Sequence, residues 1–317
     1  MWFFSKKTTI AASGILQGAV DHHSHILPGV DDGVETMDEA QRILATYETL
    51  GIKELWLTPH IMEDIPNSPA KLQARFAELK AVYTGDIQLH LAAEYMIDNH
   101  LRKLLQNCHF EPQGEISLIN NCPSCVRGAS DAVAEGQREV ALLATTEPLG
   151  LQRSANRPIE EANSSPSFVE KREYPKGEGD RTPEQGDRLL PIGTNGKHIL
   201  VETSYYNAPM RMNDTLQQIK SLGYFPLLAH PERYMYLDNA DYTKLHSQGV
   251  KFQLNLASLA GGYGKAVKKK AEWLLSNGLY SVAGTDLHCE DAIEFITNCK
   301  LSKQAVEQIE KLLHNSI

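Results

Sequence analysis

The sequence predicts an α/β fold, a distorted (β/α)7 TIM-like barrel carrying one long, low-order insertion. Three observations predict it. Short apolar runs of strand length alternate with segments of helical period, the pattern of repeated βα units with parallel strands and right-handed crossovers. Nearly every run ends in a histidine or a carboxylate: His23 and His25, His60, Glu94, Glu202, His230, then Asp286 and His288. The carboxyl ends of parallel strands open on one face, and a closed barrel brings seven such ends to one pocket where an open sheet would not.

The elements follow in order. The first strand is expected in "GAVDHHSH", residues 18–25. A helix follows, with Ala40, Ile43, Leu44, Tyr47 and Leu50 on one face and Thr36 and Asp38 offering capping chemistry at its start. Further strands are expected in "ELWLTPH" (54–60), "IQLHLAAE" (87–94), "HILVETS" (198–204), "FPLLAHPE" (225–232), "VKFQLNLAS" (250–258) and "LYSVAGTD" (279–286). Leu216, Ile219 and Leu222 mark another apolar helix face. Residues 18–107 and 186–317 therefore read as one barrel domain behind an N-terminal tail, 1–17. The tail places its aromatics before its lysines, the reverse of a signal peptide. It is expected to pack on the domain, or to touch a membrane surface through Trp2, Phe3, Phe4, Lys6 and Lys7.

One segment breaks the rhythm. Residues 108–185 have few aromatics, many Pro, Gly and Ser, and no sustained period, so they read as a disordered insertion. Cys108, His109, Cys122 and Cys125 lie in or at its edge, but no second Cys pair follows at ligand spacing, and loose thiols are the expected reading over a zinc knuckle.

Composition narrows the function. With 31 basic against 40 acidic residues the formal charge is -9, which disfavours a nucleic-acid partner. An anionic substrate would need local positive charge, such as metal ions. No apolar run approaches the roughly 20 residues that span a bilayer, so no transmembrane segment is expected. Five cysteines, an odd number, do not suggest a disulfide framework, and a reducing cytoplasm is the expected location.

The polar strand ends carry the chemistry. His23 and His25 lie two residues apart, so on a strand both imidazoles face the same side and reach one ion. Asp32 lies in the loop beyond. Carboxylates this dense would repel one another and shift their pKa values unless divalent cations sat among them. Imidazole and carboxylate without thiolate suit manganese, iron, zinc or cobalt. The ligands exceed one ion's need, and clustered metals activate water for in-line displacement at phosphorus.

In order, "DHHSHILPGVDDG", "TPH", "AAEYMID", "LVETSYYNAP", "LLAHPERY" and "AGTDLH" resemble the bacterial tyrosine phosphatases of the polymerase-and-histidinol-phosphatase (PHP) superfamily, the branch encoded with capsule and exopolysaccharide genes. The resemblance covers about residues 14–106 and 186–317. It implies a distorted (β/α)7 PHP barrel with three divalent ions, commonly manganese. By that resemblance His23, His25, Glu94 and Asp286 would hold the first ion; Glu94 would bridge to a second, completed by Glu202 and His230. Asp32, His60 and His288 would hold the third, with Asp31 open as an alternative to Asp32. Arg233 would contact the substrate phosphate as a bidentate guanidinium, the plain alternative being a surface salt bridge. The implied partner is the phosphorylated, tyrosine-rich tail of a membrane-anchored bacterial kinase that drives polysaccharide export.

No cysteine has an arginine six positions on, so the thiolate route of the common tyrosine phosphatases is disfavoured. Two features depart from the family pattern. Glu94 and Glu202 are 202 - 94 = 108 residues apart, an excess that the insertion accounts for. After "TDLH", where relatives carry histidine or arginine, stand Cys289, Glu290 and Asp291. Rival readings are a small-molecule phosphatase resembling histidinol phosphatase, and an inactive protein that binds the kinase without turnover.

Overall fold

In the computed structural model the described residues are 7–107 and 188–317. The expectations for Trp2, Phe3, Phe4 and Lys6 and for the insertion with its three cysteines lie outside them. Parallel pairing dominates, as repeated βα units require. Strands β2 (Val20–Ser24), β3 (Glu54–Leu57) and β5 (Gln88–Leu91) form one parallel sheet. Strands β4 (His60–Ile61), β6 (Glu94–Met96), β7 (His198–Glu202), β8 (Phe225–Leu228), β9 (Lys251–Asn255) and β10 (Val282–Gly284) form a second, in the order β10-β9-β8-β7-β6-β4. The result is a mixed α/β fold with a curled parallel sheet. Hydrogen bonds also tie the first strand to the last: Asp286 N–H donates to His23 O at 2.8 Å and His25 N–H to Leu287 O at 2.9 Å.

Two expected strands are interrupted, each at the two residues that precede a site residue. "ELWLTPH" divides into β3 and β4 at Thr58 and Pro59, where proline has no N–H for the ladder. "IQLHLAAE" divides into β5 and β6 at Ala92 and Ala93. Pairing continues across both breaks, since Ala92 N–H donates to Leu57 O at 2.9 Å and Glu94 N–H to Pro59 O at 3.1 Å. "LYSVAGTD" contributes only β10. Its Gly284 has no room for a side chain: a Cβ there would lie 2.6 Å from the Cβ of His23. That glycine lets the last strand press against the histidine strand.

The expected helix after the first strand is α2 (Met37–Leu50), capped by Thr36, whose hydroxyl accepts from Glu39 N–H at 3.2 Å. Asp38 lies in its first turn, and the helix ends at Gly51 in the left-handed region. Ala40, Ile43, Leu44 and Tyr47 are buried as the spacing requires, whereas Leu50 is half-buried. In α5 (Met212–Ser221), Leu216 and Ile219 are buried and Leu222 is the C-cap. These helices close the larger core against one sheet face. A smaller cluster, Trp56, Ala92, Leu200, Leu227, Ala229 and Val282 with Ile192 and Ile317, occupies the other. Leu200 shares a strand face with Glu202, so this cluster underlies the polar strand ends.

The expected tail is partly built into the fold. Thr8–Thr9 (β1) pair antiparallel with Lys300–Leu301 (β11), and Ile10, Ile15 and Leu16 are buried.

Candidate metal centre

The strand ends deliver their side chains to one place. His23 lies in β2 and His25 just beyond it; His60 opens β4, Glu94 opens β6, and Glu202 closes β7. His230 and Asp286 follow β8 and β10 in the left-handed region, with φ of +31° and +52°. Non-glycine residues rarely adopt that conformation and do so at functional sites, where the surroundings hold them there.

Four atoms form the tightest knot. His23 Nε2 and His25 Nε2 lie 3.1 Å apart. Glu94 Oε2 is 3.3 Å from each of them, and Asp286 Oδ1 is 3.3 Å from His23 and 3.4 Å from His25. Both imidazole nitrogens thus lie within reach of both carboxylates, a mixed nitrogen and oxygen donor set of the kind that divalent cations take. Glu94 then reaches onward, its Oε1 being 3.1 Å from His230 Nε2, while His230 Nε2 is 3.9 Å from Glu202 Oε2. His60 stands between groups. Its Nδ1 is 3.2 Å from Glu94 Oε2 and 3.1 Å from Glu202 Oε1, and its Nε2 is 3.4 Å from Asp32 Oδ1. His288 Nε2 lies 3.6 Å from the same Asp32 oxygen. All nine residues expected to bind metal are thus brought together, and three clusters of donors emerge: His23, Glu94, His230 and Asp286; His60, Glu94 and Glu202; His25, Asp32, His60 and His288.

The donors fit divalent cations on two further grounds. Glu94 Oε2 and His60 Nδ1 are buried without a hydrogen bond. Leaving such groups unsatisfied costs about 1–3 kcal/mol each, which a shared cation would remove. Charge tells the same story. Burial pushes the Glu94 and Asp286 carboxyls up, but the surrounding histidines, His23 foremost, hold both well below the usual carboxylate range. Burial pulls the His60 imidazole down, and Glu202 and Glu94 lift it to about 9. The cluster therefore keeps its carboxylates charged by holding protons on imidazoles, and metal binding releases such protons.

Asp31 has a different position from Asp32. Its Oδ2 accepts from His25 Nδ1 at 2.8 Å and from His60 N–H at 3.0 Å, so it sits behind the histidines and orients them. The loop that carries it folds tightly over His25, where a Cβ on Gly33 would lie 2.1 Å from His25 O. Arg233, in the short 3₁₀ turn Pro231–Arg233, does form an ion pair, but a largely buried one: Nη1 lies 3.0 Å from Asp286 Oδ2. Its guanidinium is clamped between the rings of Tyr205 and Tyr263, at 4.2 and 4.1 Å from their centroids. Downstream of His288, Glu290 pairs with Arg42 Nε at 3.0 Å.

Several supporting residues escape a search for strand-end ligands. Asp21 accepts from Thr285 N–H, Thr285 Oγ1, Tyr47 OH and His23 N–H, fixing the first strand to the last. Gln253 and Asn255 lie behind the ligands on β9; Asn255 Nδ2 donates to Asp286 Oδ2 at 2.8 Å. The signal for the last two was present: polar side chains at alternate positions of the apolar run "VKFQLNLAS" face the same side and need buried partners.

Residues 19–115 and 187–311 match the family model for capsular polysaccharide synthesis, CpsB/CapC. CapC of Staphylococcus aureus is 22% identical over 303 residues, spanning 93% of this chain and 89% of CapC. The tyrosine-protein phosphatase CpsB of Streptococcus pneumoniae is 28% identical over 110 residues, 32% of this chain and 45% of CpsB. The tyrosine-protein phosphatase YwqE of Bacillus subtilis is 29% identical over 94 residues, 29% of this chain and 37% of YwqE. Among solved structures, one from a study of YwqE and CpsB as metal-dependent tyrosine phosphatases aligns with a TM-score of 0.56 at 18% identity. That alignment covers 94% of this chain and 95% of the solved one and supports the fold. By its strand-end motifs and by the family match over most of its described length, the chain belongs to the capsular polysaccharide synthesis family CpsB/CapC.

Proposed function

We propose that this chain is a metal-dependent tyrosine-protein phosphatase, a phosphoric monoester hydrolase, acting on phosphotyrosine of a bacterial tyrosine kinase that governs capsule or exopolysaccharide synthesis. One observation carries the reading: the ring nitrogens of His23 and His25 lie 3.1 Å apart and each is 3.3–3.4 Å from a carboxylate oxygen of both Glu94 and Asp286, and five more donor residues surround them. The two relatives named as tyrosine-protein phosphatases support the reaction class. The ligand assignment is His23, His25, Glu94 and Asp286 at one site, Glu94, Glu202 and His230 at a second, and Asp32, His60 and His288 at a third. The position of His60 Nδ1 also makes it a donor to the second. Manganese is the preferred metal, with iron, zinc and cobalt of the same ligand class.

Bound ions at this place would activate water and neutralise charge on a phosphoryl group. The chain's own residues do the rest. Arg233 presents a planar, permanently charged fork beside the carboxylate cluster, suited to two phosphoryl oxygens. Tyr205 and Tyr263 hold that plane, and Asp286 fixes one of its nitrogens. A phenolate leaves with a pKa near 10 and needs less protonation than an alkoxide. Asp31 keeps His25 and the backbone of His60 in place while the substrate exchanges.

We further place the active domain in a distorted (β/α)7 barrel. Counting β3 with β4 and β5 with β6 gives seven strands, and the Asp286–His23 and His25–Leu287 hydrogen bonds supply its closure. Residues 108–185 are assigned as an insertion between 18–107 and 186–317, in keeping with a family match that skips 116–186. A cytoplasmic location fits the described residues, none of whose helices is long and apolar enough to cross a membrane.

The test is hydrolysis of a phosphotyrosine peptide, a phosphoserine peptide and histidinol phosphate after loading with manganese. The phosphotyrosine peptide should turn over fastest and chelator should abolish turnover. Arg233→Lys should raise KM while leaving metal content unchanged. Preference for histidinol phosphate would favour the small-molecule reading, and full metal occupancy without turnover would favour a binding protein.

A further inference from the structure

We infer that Gln253 is a positioning residue of this centre, a single buried amide that fixes two of the proposed metal-binding histidines from different strands. The inference rests on the metal reading of the site given above. Gln253 is fully buried in the middle of β9. Its Oε1 lies 3.0 Å from His23 Nδ1 and 3.0 Å from the backbone nitrogen of His230. Its Nε2 donates to Leu254 O at 2.7 Å.

The orientation of the amide follows from its partners. A backbone N–H can only donate and a backbone carbonyl can only accept, so the oxygen faces His230 and the nitrogen faces Leu254. An amide oxygen has no proton to give, so His23 must carry its proton on Nδ1. This leaves Nε2 as the nitrogen that faces His25, Glu94 and Asp286 with its lone pair once a metal arrives. The second bond acts on shape. His230 sits at φ +31°, a conformation that costs on the order of 1–3 kcal/mol unless its surroundings hold it. The bond from its N–H to Gln253 is one of those restraints, and it sets where the His230 ring meets Glu94. A ligand histidine in a protein commonly has one partner for its second nitrogen; here one oxygen serves a histidine ring and the strained backbone of another ligand together.

The experiment compares the full-length parent with Gln253→Met, which keeps the volume and loses the acceptor, and Gln253→Glu, which keeps an acceptor oxygen. Manganese and zinc affinities are measured by competition with a chromophoric chelator, and the His23 Nδ1–H proton is followed by NMR in the zinc-loaded protein. Gln253→Met should lose about 10- to 100-fold in affinity at one ion per chain and lose the protected Nδ1–H resonance. Gln253→Glu should stay nearer the parent, and the chelator-treated proteins should melt at similar temperatures. Equal metal affinity in parent and Gln253→Met would overturn the proposal, as would equal losses in the two variants. A parent with no protected Nδ1–H on His23 would overturn it even if Gln253→Met failed to fold. A parent that takes up neither metal would remove the site reading itself, which separates that failure from the loss of the positioning role alone.

Discussion

At the scale of single residues, the buried histidines divide into those proposed as metal ligands and those, such as His198, that lie away from the cluster. His198 opens β7 with both ring nitrogens buried and without hydrogen bonds, its ring 5.4 Å from that of Phe225. Burial, reinforced by Lys251 and His22, pulls its pKa down to about 4. The unfolded chain takes up this proton near 6.5 and the folded chain only near 4, so acid favours unfolding. The contribution of His198 is therefore complete above about pH 6.5, declines as pH falls toward 4, and is exhausted below that. Urea unfolding midpoints in chelator should fall less steeply between pH 6.5 and 4 for His198→Phe than for the parent; parallel slopes would assign the acid sensitivity elsewhere. Which aspartate of "VDDG" joins the donor cluster was not legible in the sequence, because neighbours one residue apart differ only in the direction the loop gives them. The direction is set by Gly33 folding over His25, a contact distant from any local pattern.

At the scale of elements, loops and strand ends set the ligand geometry as much as the strands do. Asn67, buried ahead of α3 (Pro69–Val82), donates from Nδ2 to Val30 O and to His60 O, each at 2.9 Å. One amide thus ties the aspartate loop to the strand that carries His60. Asn67→Ala would leave two buried carbonyls unpaired, a destabilisation of about 2 kcal/mol. It should also loosen metal held by Asp32 and His60 more than metal held by His23, read as a selective loss of one ion per chain on dialysis. The seven strand positions and the polar residues that end them were legible from "TPH", "AAE", "AHPE" and "AGTD", since alternation of apolar runs and helical periods survives any detail of packing. The interruptions in two strands were less so. Pro59 announces a missing donor, but the break at Ala92 and Ala93 has no such marker, and it follows from the path that brings Glu94 beside His60. The pairing of Thr8–Thr9 with Lys300–Leu301 joins the two ends of the chain, and no local period reports a contact of that separation.

At the scale of the whole molecule, the proposed barrel domain has to accommodate a long insertion. Loop closure grows costlier only slowly with length, about 0.6 kcal/mol per doubling. The chain re-enters the described fold firmly, with Leu189 and Leu190 buried and Leu190 N–H donating to Tyr95 OH at 2.8 Å. Deleting 108–185 should therefore give a protein that still folds, keeps the parent's metal content and gains no more than about 3 kcal/mol from the shorter loop. A large rise in both melting temperature and metal content would instead mark the insertion as damaging.

We propose that nine histidine and carboxylate residues, from six strand ends and the loop after the first, hold a cluster of divalent ions, with Glu94 shared between two of them. Counting metal bound per chain, by mass spectrometry after manganese loading and exhaustive dialysis, tests it in the parent and in Glu94→Gln. The parent should hold two to three ions per chain, and the variant should lose more than one. No bound ion in the folded parent, or an unchanged count in Glu94→Gln, would contradict it.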